Sequence, residues 1–131
     1  MNNYYCKIFL NAPITIEALS QKISSFGNIS FDKFLSAEND IFTIDIQYNK
    51  EFNDTNAQDF PDEFLFYPYF IELDLIDEAK ELQYKAFIEQ LLTYLWTEQY
   101  QIVASCDFEE ELPHKGGYNQ FINRIDSPLT K

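Results

Sequence analysis

The chain reads as an α/β protein, an α+β two-layer sandwich with element order β-α-β-β-β-α-β. Short stretches alternate apolar and polar residues, two others carry apolar residues at helical spacing, and aromatic side chains make up 18% of the 131 residues. Alternation marks half-buried strands, a spacing of three to four marks amphipathic helices, and Phe and Tyr suit pleated sheets. Helices returning to one face of a mixed sheet give a ferredoxin-like variant with an additional strand. At this length one globular domain, residues 1–131, is expected, and folding buries roughly two-thirds of the surface the unfolded chain exposes.

In chain order, residues 4–10 alternate, with Tyr4, Cys6, Ile8 and Leu10 on one side and Tyr5, Lys7 and Phe9 on the other. This is the expected first strand. Asn11, Ala12 and Pro13 break it, and Thr15 suits a helix N-cap, with Ile14 and Leu19 spaced for a hydrophobic staple. Ile16, Leu19, Ile23 and Phe26 then predict a helix over 16–26, and Gly27 stands where a left-handed C-terminal residue is wanted. Residues 29–35 and 40–48 read as a hairpin joined through 36–39. Its second arm alternates cleanly through Phe42, Ile44, Ile46 and Tyr48, while Phe34 breaks parity in the first and suggests a bulge near Lys33. Polar residues 49–63 form the longest loop.

Residues 64–108 are the most apolar part and read as a strand (64–75), a helix (about 78–98) and a strand (101–108). Pro68 lacks a backbone donor, which suggests an edge strand or a bulge. Asp77 suits the helix cap, with Glu78 and Glu81 placed against the N-terminal dipole. Tyr84, Ile88, Leu91 and Leu95 form the apolar stripe, widened by Phe87 and Leu92, while Lys85 and Glu89 are spaced to pair on the solvent side. Each large side chain of that stripe contributes about 1.5–3 kcal/mol on burial. Ile102, Ala104 and Cys106 alternate with Val103, Ser105 and Asp107 in the last strand, and 109–131 reads as an irregular C-terminal segment with one helical turn around Phe121, Ile122 and Ile125.

The charge balance narrows the partners. With 22 acidic against 9 basic residues the formal net charge is −13. Phosphate backbones and anionic membranes need clustered Lys and Arg, so neither nucleic acid nor a membrane is expected, whereas a basic protein is attracted and steered. Residues 1–10 lack the basic start and sustained apolar run of a signal peptide, and the longest apolar stretch contains Pro68, Glu72 and Asp74. A cytoplasmic protein is expected, with Cys6 and Cys106 as buried thiols that form no disulfide framework; adjacent strands would allow a bridge under oxidation, but only an incidental one.

No motif predicts catalysis or a cofactor. Asp54, Asn56 and Gln58 alternate like calcium ligands, but Asp59 replaces the required Gly and Leu65 the bidentate Glu. His114 is the only histidine and lacks spaced metal partners; between Pro113 and the pair Gly116 and Gly117 it reads as part of an exposed turn. Asp107 beside Cys106 is expected to raise the thiol pKa and disfavour a nucleophile. What stands out is acid around aromatic strands. Glu72 and Asp74 lie on the outer face of their strand, and if the strands flanking the long helix run parallel, Asp74 shares one end of the sheet with Asp107, Glu109, Glu110 and Glu111. Tyr67 and Tyr69 are then expected within reach, rings serving as anchors and charges as steering.

Residues 70–75, the helix that follows, and 103–113 (VASCDFEEELP) resemble the carboxyl half of bacterial immunity proteins, including those of contact-dependent growth inhibition. The resemblance implies a non-enzymatic inhibitor that binds and neutralises a basic toxin domain, often a nuclease. Two other readings compete with it. One is a ligand-sensing or enzymatic domain centred on His114 and nearby carboxylates; the other is a structural domain that buries aromatic surface in a homodimer.

Overall fold

The computed structural model describes residues 3–50, 64–65 and 67–117. Strand β1 (Cys6–Asn11), helix α1 (Ile16–Gly27), strands β2 (Ser36–Glu38), β3 (Phe42–Tyr48) and β4 (Tyr69–Leu75), helix α2 (Glu81–Thr97) and strand β5 (Gln101–Cys106) follow in chain order. The strands form one open sheet in the order β2-β3-β4-β1-β5, and all four neighbouring pairs are antiparallel. The α1 crossover therefore leaves β1 and β3 running the same way with β4 between them. The α2 crossover does likewise for β4 and β5, with β1 between. These interleaved units are the ferredoxin-like plan expected from the sequence, and β2 is the additional edge strand.

Alternation places Ile8, Leu10, Ile44, Ile71, Leu73 and Ile102 on one sheet face, where they form a buried cluster with Leu19 and Ile23 of α1 and Tyr84, Ile88, Leu91, Leu92 and Leu95 of α2. Both helices thus cover the same face, as expected. On the opposite face Phe9 and Val103 pack with Phe64 and Tyr67 in a smaller cluster, and Phe9 and Phe64 meet edge to face at 5.4 Å.

Local interactions explain where the elements depart from the pattern. The Thr15 hydroxyl accepts the Ala18 N–H at 3.0 Å, capping α1 as expected. The left-handed residue is Asn28 (φ 54°, ψ 50°) rather than Gly27. Gly27 instead permits close packing, since a Cβ there would stand 2.8 Å from Ile29 Cδ1 and 3.1 Å from a Phe87 ring carbon. The first hairpin arm is not 29–35 but Ser36–Glu38. Asp32 captures the N–H groups of Phe34 and Ser36 on one carboxylate oxygen at 2.8 and 3.0 Å, and Leu35 adopts φ 61°, so a side-chain turn replaces the strand and the expected bulge. Pro68 precedes β4 rather than interrupting it, and β4 is internal, not an edge. Asn49 donates its N–H to the Pro68 carbonyl at 2.8 Å.

The Asp77 carboxylate accepts the Ala79 N–H at 3.0 Å and starts a 3-10 turn, Glu78–Lys80, that leads into α2. Lys85 pairs backwards with Glu81 at 2.8 Å rather than forwards with Glu89. Beyond β5, which ends at Cys106 rather than at Phe108, the chain folds back in a 3-10 turn, Glu109–Glu111, and a kinked turn, Pro113–Gly117, in which His114, Lys115 and Gly116 have positive φ. His114 and Lys115 are exposed as expected, but Gly116 and Gly117 are buried against β5. The helical turn expected around Phe121 and the 54–63 part of the tested calcium pattern lie outside the described residues.

Gly117 has φ 114°, and a Cβ on it would stand 2.6 Å from the Ile102 carbonyl oxygen. Gly117→Ala is therefore expected to destabilise the protein by about 1–3 kcal/mol through backbone strain and overlap. Urea unfolding should show a lower midpoint with an unchanged slope.

Candidate functional site

The sheet register decides which carboxylates meet. Cys6 lies opposite Leu73 on one side and Cys106 on the other, and Phe42 lies opposite Leu75. One end of the sheet therefore collects the starts of β1 and β3 and the finishes of β4 and β5. Glu38 and Asp40 project from the β2–β3 turn, Asp74, Asp77 and Glu78 from the exit of β4, and Asp107, Glu110 and Glu111 from the exit of β5, all exposed. With β1 between them, β4 and β5 stand roughly 10 Å apart. Asp74 and the 107–111 acids thus lie at the same end of the sheet, as expected.

Lys85 is the cation embedded at this end. It binds Glu81 at 2.8 Å and Glu111 at 3.1 Å, and its ammonium lies 5.1 Å from the centre of the Phe108 ring. The hydrogen bond to Glu81, reinforced by Glu111, raises the Lys85 pKa; in return Lys85, helped by the Tyr4 hydroxyl, lowers that of Glu81. Among the described residues no ion pair engages Asp74, Asp77, Asp107 or Glu110. Asn3, Tyr4, Glu81, Lys85, Asp107, Phe108 and Glu111 line a polar cleft of about 360 Å3 at this end. Its carboxylates and the half-buried Tyr4 ring suit a cationic side chain of a partner.

Glu72 and Glu109 are less available. Glu72 faces the outer sheet surface, where it accepts hydrogen bonds from the Tyr5 hydroxyl and from Gln47 Nε2, the latter at 2.8 Å. Beside it, the Lys7 ammonium sits 4.2 Å from the centre of the Phe70 ring. Glu109 turns inward, and its Oε2 accepts the Cys106 N–H at 3.2 Å.

The two tyrosines expected at the acidic surface are not there. Tyr67 is fully buried in the outer-face cluster. Tyr69 is buried opposite Leu10, at the other end of the sheet, and donates its hydroxyl to the Ile14 carbonyl at 2.5 Å. The irregular backbone at Pro68 divides them between the two sheet faces. The tyrosines at the acidic end are Tyr4 and Tyr5, and Tyr4 donates to Glu81 at 3.0 Å. Their alternation marked a strand, but nothing local in the sequence indicates that this strand inserts between β4 and β5.

Cys106 also departs from expectation. It is partly exposed, and hydrogen bonds from the Cys6 thiol and then the Phe108 N–H lower its pKa, outweighing burial and the opposing charges of Glu109 and Asp107. His114 meets Trp96 edge-on at 5.3 Å. Among the described residues no group of three or more His, Cys, Asp or Glu is placed to hold a metal, and no helix is long and apolar enough to cross a membrane. A scan against protein-family models and searches of curated proteins and solved structures found no match to this chain.

Tyr5 and Tyr84 supply a pH signature. Burial, and then the hydrogen bond to Glu72, push the Tyr5 pKa well above the ordinary tyrosine range. Burial does the same for Tyr84, whose hydroxyl donates to the Tyr4 carbonyl at 2.5 Å. Because the folded values lie above the unfolded one, the stability these phenols contribute is complete below about pH 10 and is lost as pH rises through the folded values. An ultraviolet absorbance titration should show the Tyr5 and Tyr84 phenols ionising only above the ordinary tyrosine range, together with unfolding. Tyr5→Phe should remove one of them and leave the Tyr84 step.

Proposed function

We propose that this chain is an immunity-type inhibitor that binds a basic toxin domain through the acidic end of its sheet. The observation that carries the reading is the convergence there of Asp74, Asp77, Asp107 and Glu110, in no ion pair among the described residues, with Glu111, which Lys85 pairs, beside the Tyr4 ring. The formal net charge of −13 adds a long-range field of the same sign. Fields of this kind accelerate encounter with a cationic partner, while rings and a pocket at the contact slow its escape. Lys85, paired to Glu81 and Glu111, fixes the position of both carboxylates at the edge of this surface.

The partner to test is the carboxyl-terminal domain of the protein encoded immediately upstream. Its expression should arrest growth, and co-expression of this chain should restore it. In stopped-flow mixing, raising salt from about 50 to 500 mM should slow association at least tenfold. The triple substitution Asp107→Lys, Glu110→Lys and Glu111→Lys should slow it comparably at low salt, with dissociation less affected. Unchanged association in the triple variant would remove this surface from the interface, and absence of both binding and rescue would remove the proposed function.

A further inference from the structure

Cys6 and Cys106 lie directly opposite each other on adjacent antiparallel strands. The type of pairing follows from the β5 edge. The Ile102 and Ala104 carbonyl oxygens are the atoms approached by Gly117 and Gly116, and the Cys106 N–H goes to the Glu109 carboxylate. The backbone groups of Ile102, Ala104 and Cys106 therefore point away from β1, which makes Cys6 and Cys106 a non-hydrogen-bonded pair. Such pairs hold their Cα atoms about 4.5 Å apart with side chains close together, inside the roughly 4.4–6.8 Å range that disulfides span. Both side chains project to the helix-covered face.

The two thiols are unequal. Cys6 is fully buried and Cys106 is partly exposed. The Cys6 thiol donates to Cys106, which raises the Cys6 pKa and favours the thiolate at Cys106. A partly exposed thiol directly opposite a second, buried thiol is the arrangement of an oxidant-reactive site with a resolving cysteine.

We propose that Cys106 is an oxidant-reactive modification site, that Cys6 resolves it, and that a low-molecular-weight disulfide converts the pair into a cross-strand bridge tying edge strand β5 to β1. The Cys106 thiolate attacks one sulfur of the small disulfide, forming a mixed disulfide and expelling one thiolate. Cys6 then gives up its proton and attacks the Cys106 sulfur, breaking the mixed disulfide and releasing the second small thiolate. The two protein thiols lose two electrons and two protons in all, and the small disulfide gains them as two thiols. The bridge closes residues 6–106 into a loop and constrains the unfolded state, so the oxidised form is the more heat-stable.

The test is to incubate the folded, fully reduced protein with oxidised glutathione and follow intact mass. The expected product is monomeric, lighter by two hydrogens, free of titratable thiol in denaturant, and higher in Tm by about 5 °C or more than the reduced form. Cys6→Ala should stop at one glutathione adduct on Cys106, and Cys106→Ala should lose the rapid reaction. A wild-type protein that stays dithiol, stops at a stable adduct, or links only between chains overturns the proposal, and this readout does not depend on either variant folding.

Discussion

β1 lies hydrogen-bonded between β4 and β5, and the other placements in the molecule follow from that insertion. The segment from β4 through α2 to β5 must step over a whole strand, and a helix about 10 Å across spans those two strand spacings. With β1 antiparallel to both neighbours, β4 and β5 finish at the end where β1 begins. The same register sets Cys6 opposite Cys106 and carries Tyr4 and Tyr5 in among the carboxylates.

This arrangement concentrates charge of one sign, and the structure offsets part of the resulting repulsion locally. Lys85 bridges α2 to the 109–111 turn, Asp77 is engaged as a helix cap, and Glu109 is turned inward onto the Cys106 N–H. The remaining carboxylates stay in water, where their self-repulsion is modest but unrelieved. A cationic partner would relieve it without burying any acid alone, which is the energetic link between the fold and the proposed inhibitor role. The second sheet face is not a plain solvent face either. Phe9, Phe64, Tyr67 and Val103 bury part of it, and Lys7 covers Phe70.

Much of the fold was legible residue by residue. Thr15 caps α1 as expected, Asp77 caps the 3-10 turn that leads into α2, the stripe Tyr84, Ile88, Leu91 and Leu95 is buried, and β3 alternates as expected through Phe42, Ile44 and Ile46, whereas Tyr48 is exposed. The misreadings share a cause, because in each a polar side chain or a distant contact overruled the local pattern. Asp32 drew two N–H groups into a turn where apolar residues suggested a strand, and Gly27 was needed for contact with Ile29 and Phe87 rather than for a left-handed turn. In the candidate site, the acids after β4 and β5 share one end of the sheet, as expected, because crossover connectivity alone brings those ends together. The tyrosines do not join them, since Pro68 sent Tyr67 and Tyr69 to different buried faces.

By itself the sequence determined both helices, strands β1, β3, β4 and β5, the Thr15 cap and the acidic excess, because these depend on neighbours within a turn or two of chain. Tertiary structure alone decided that β1 separates β4 from β5, that Tyr4 and Tyr5 join the acids, and that Cys106 meets Cys6. Those outcomes depend on pairing between segments far apart in the chain. Such pairing is set by how two crossover helices can cover one sheet face, and no local spacing of residues encodes it.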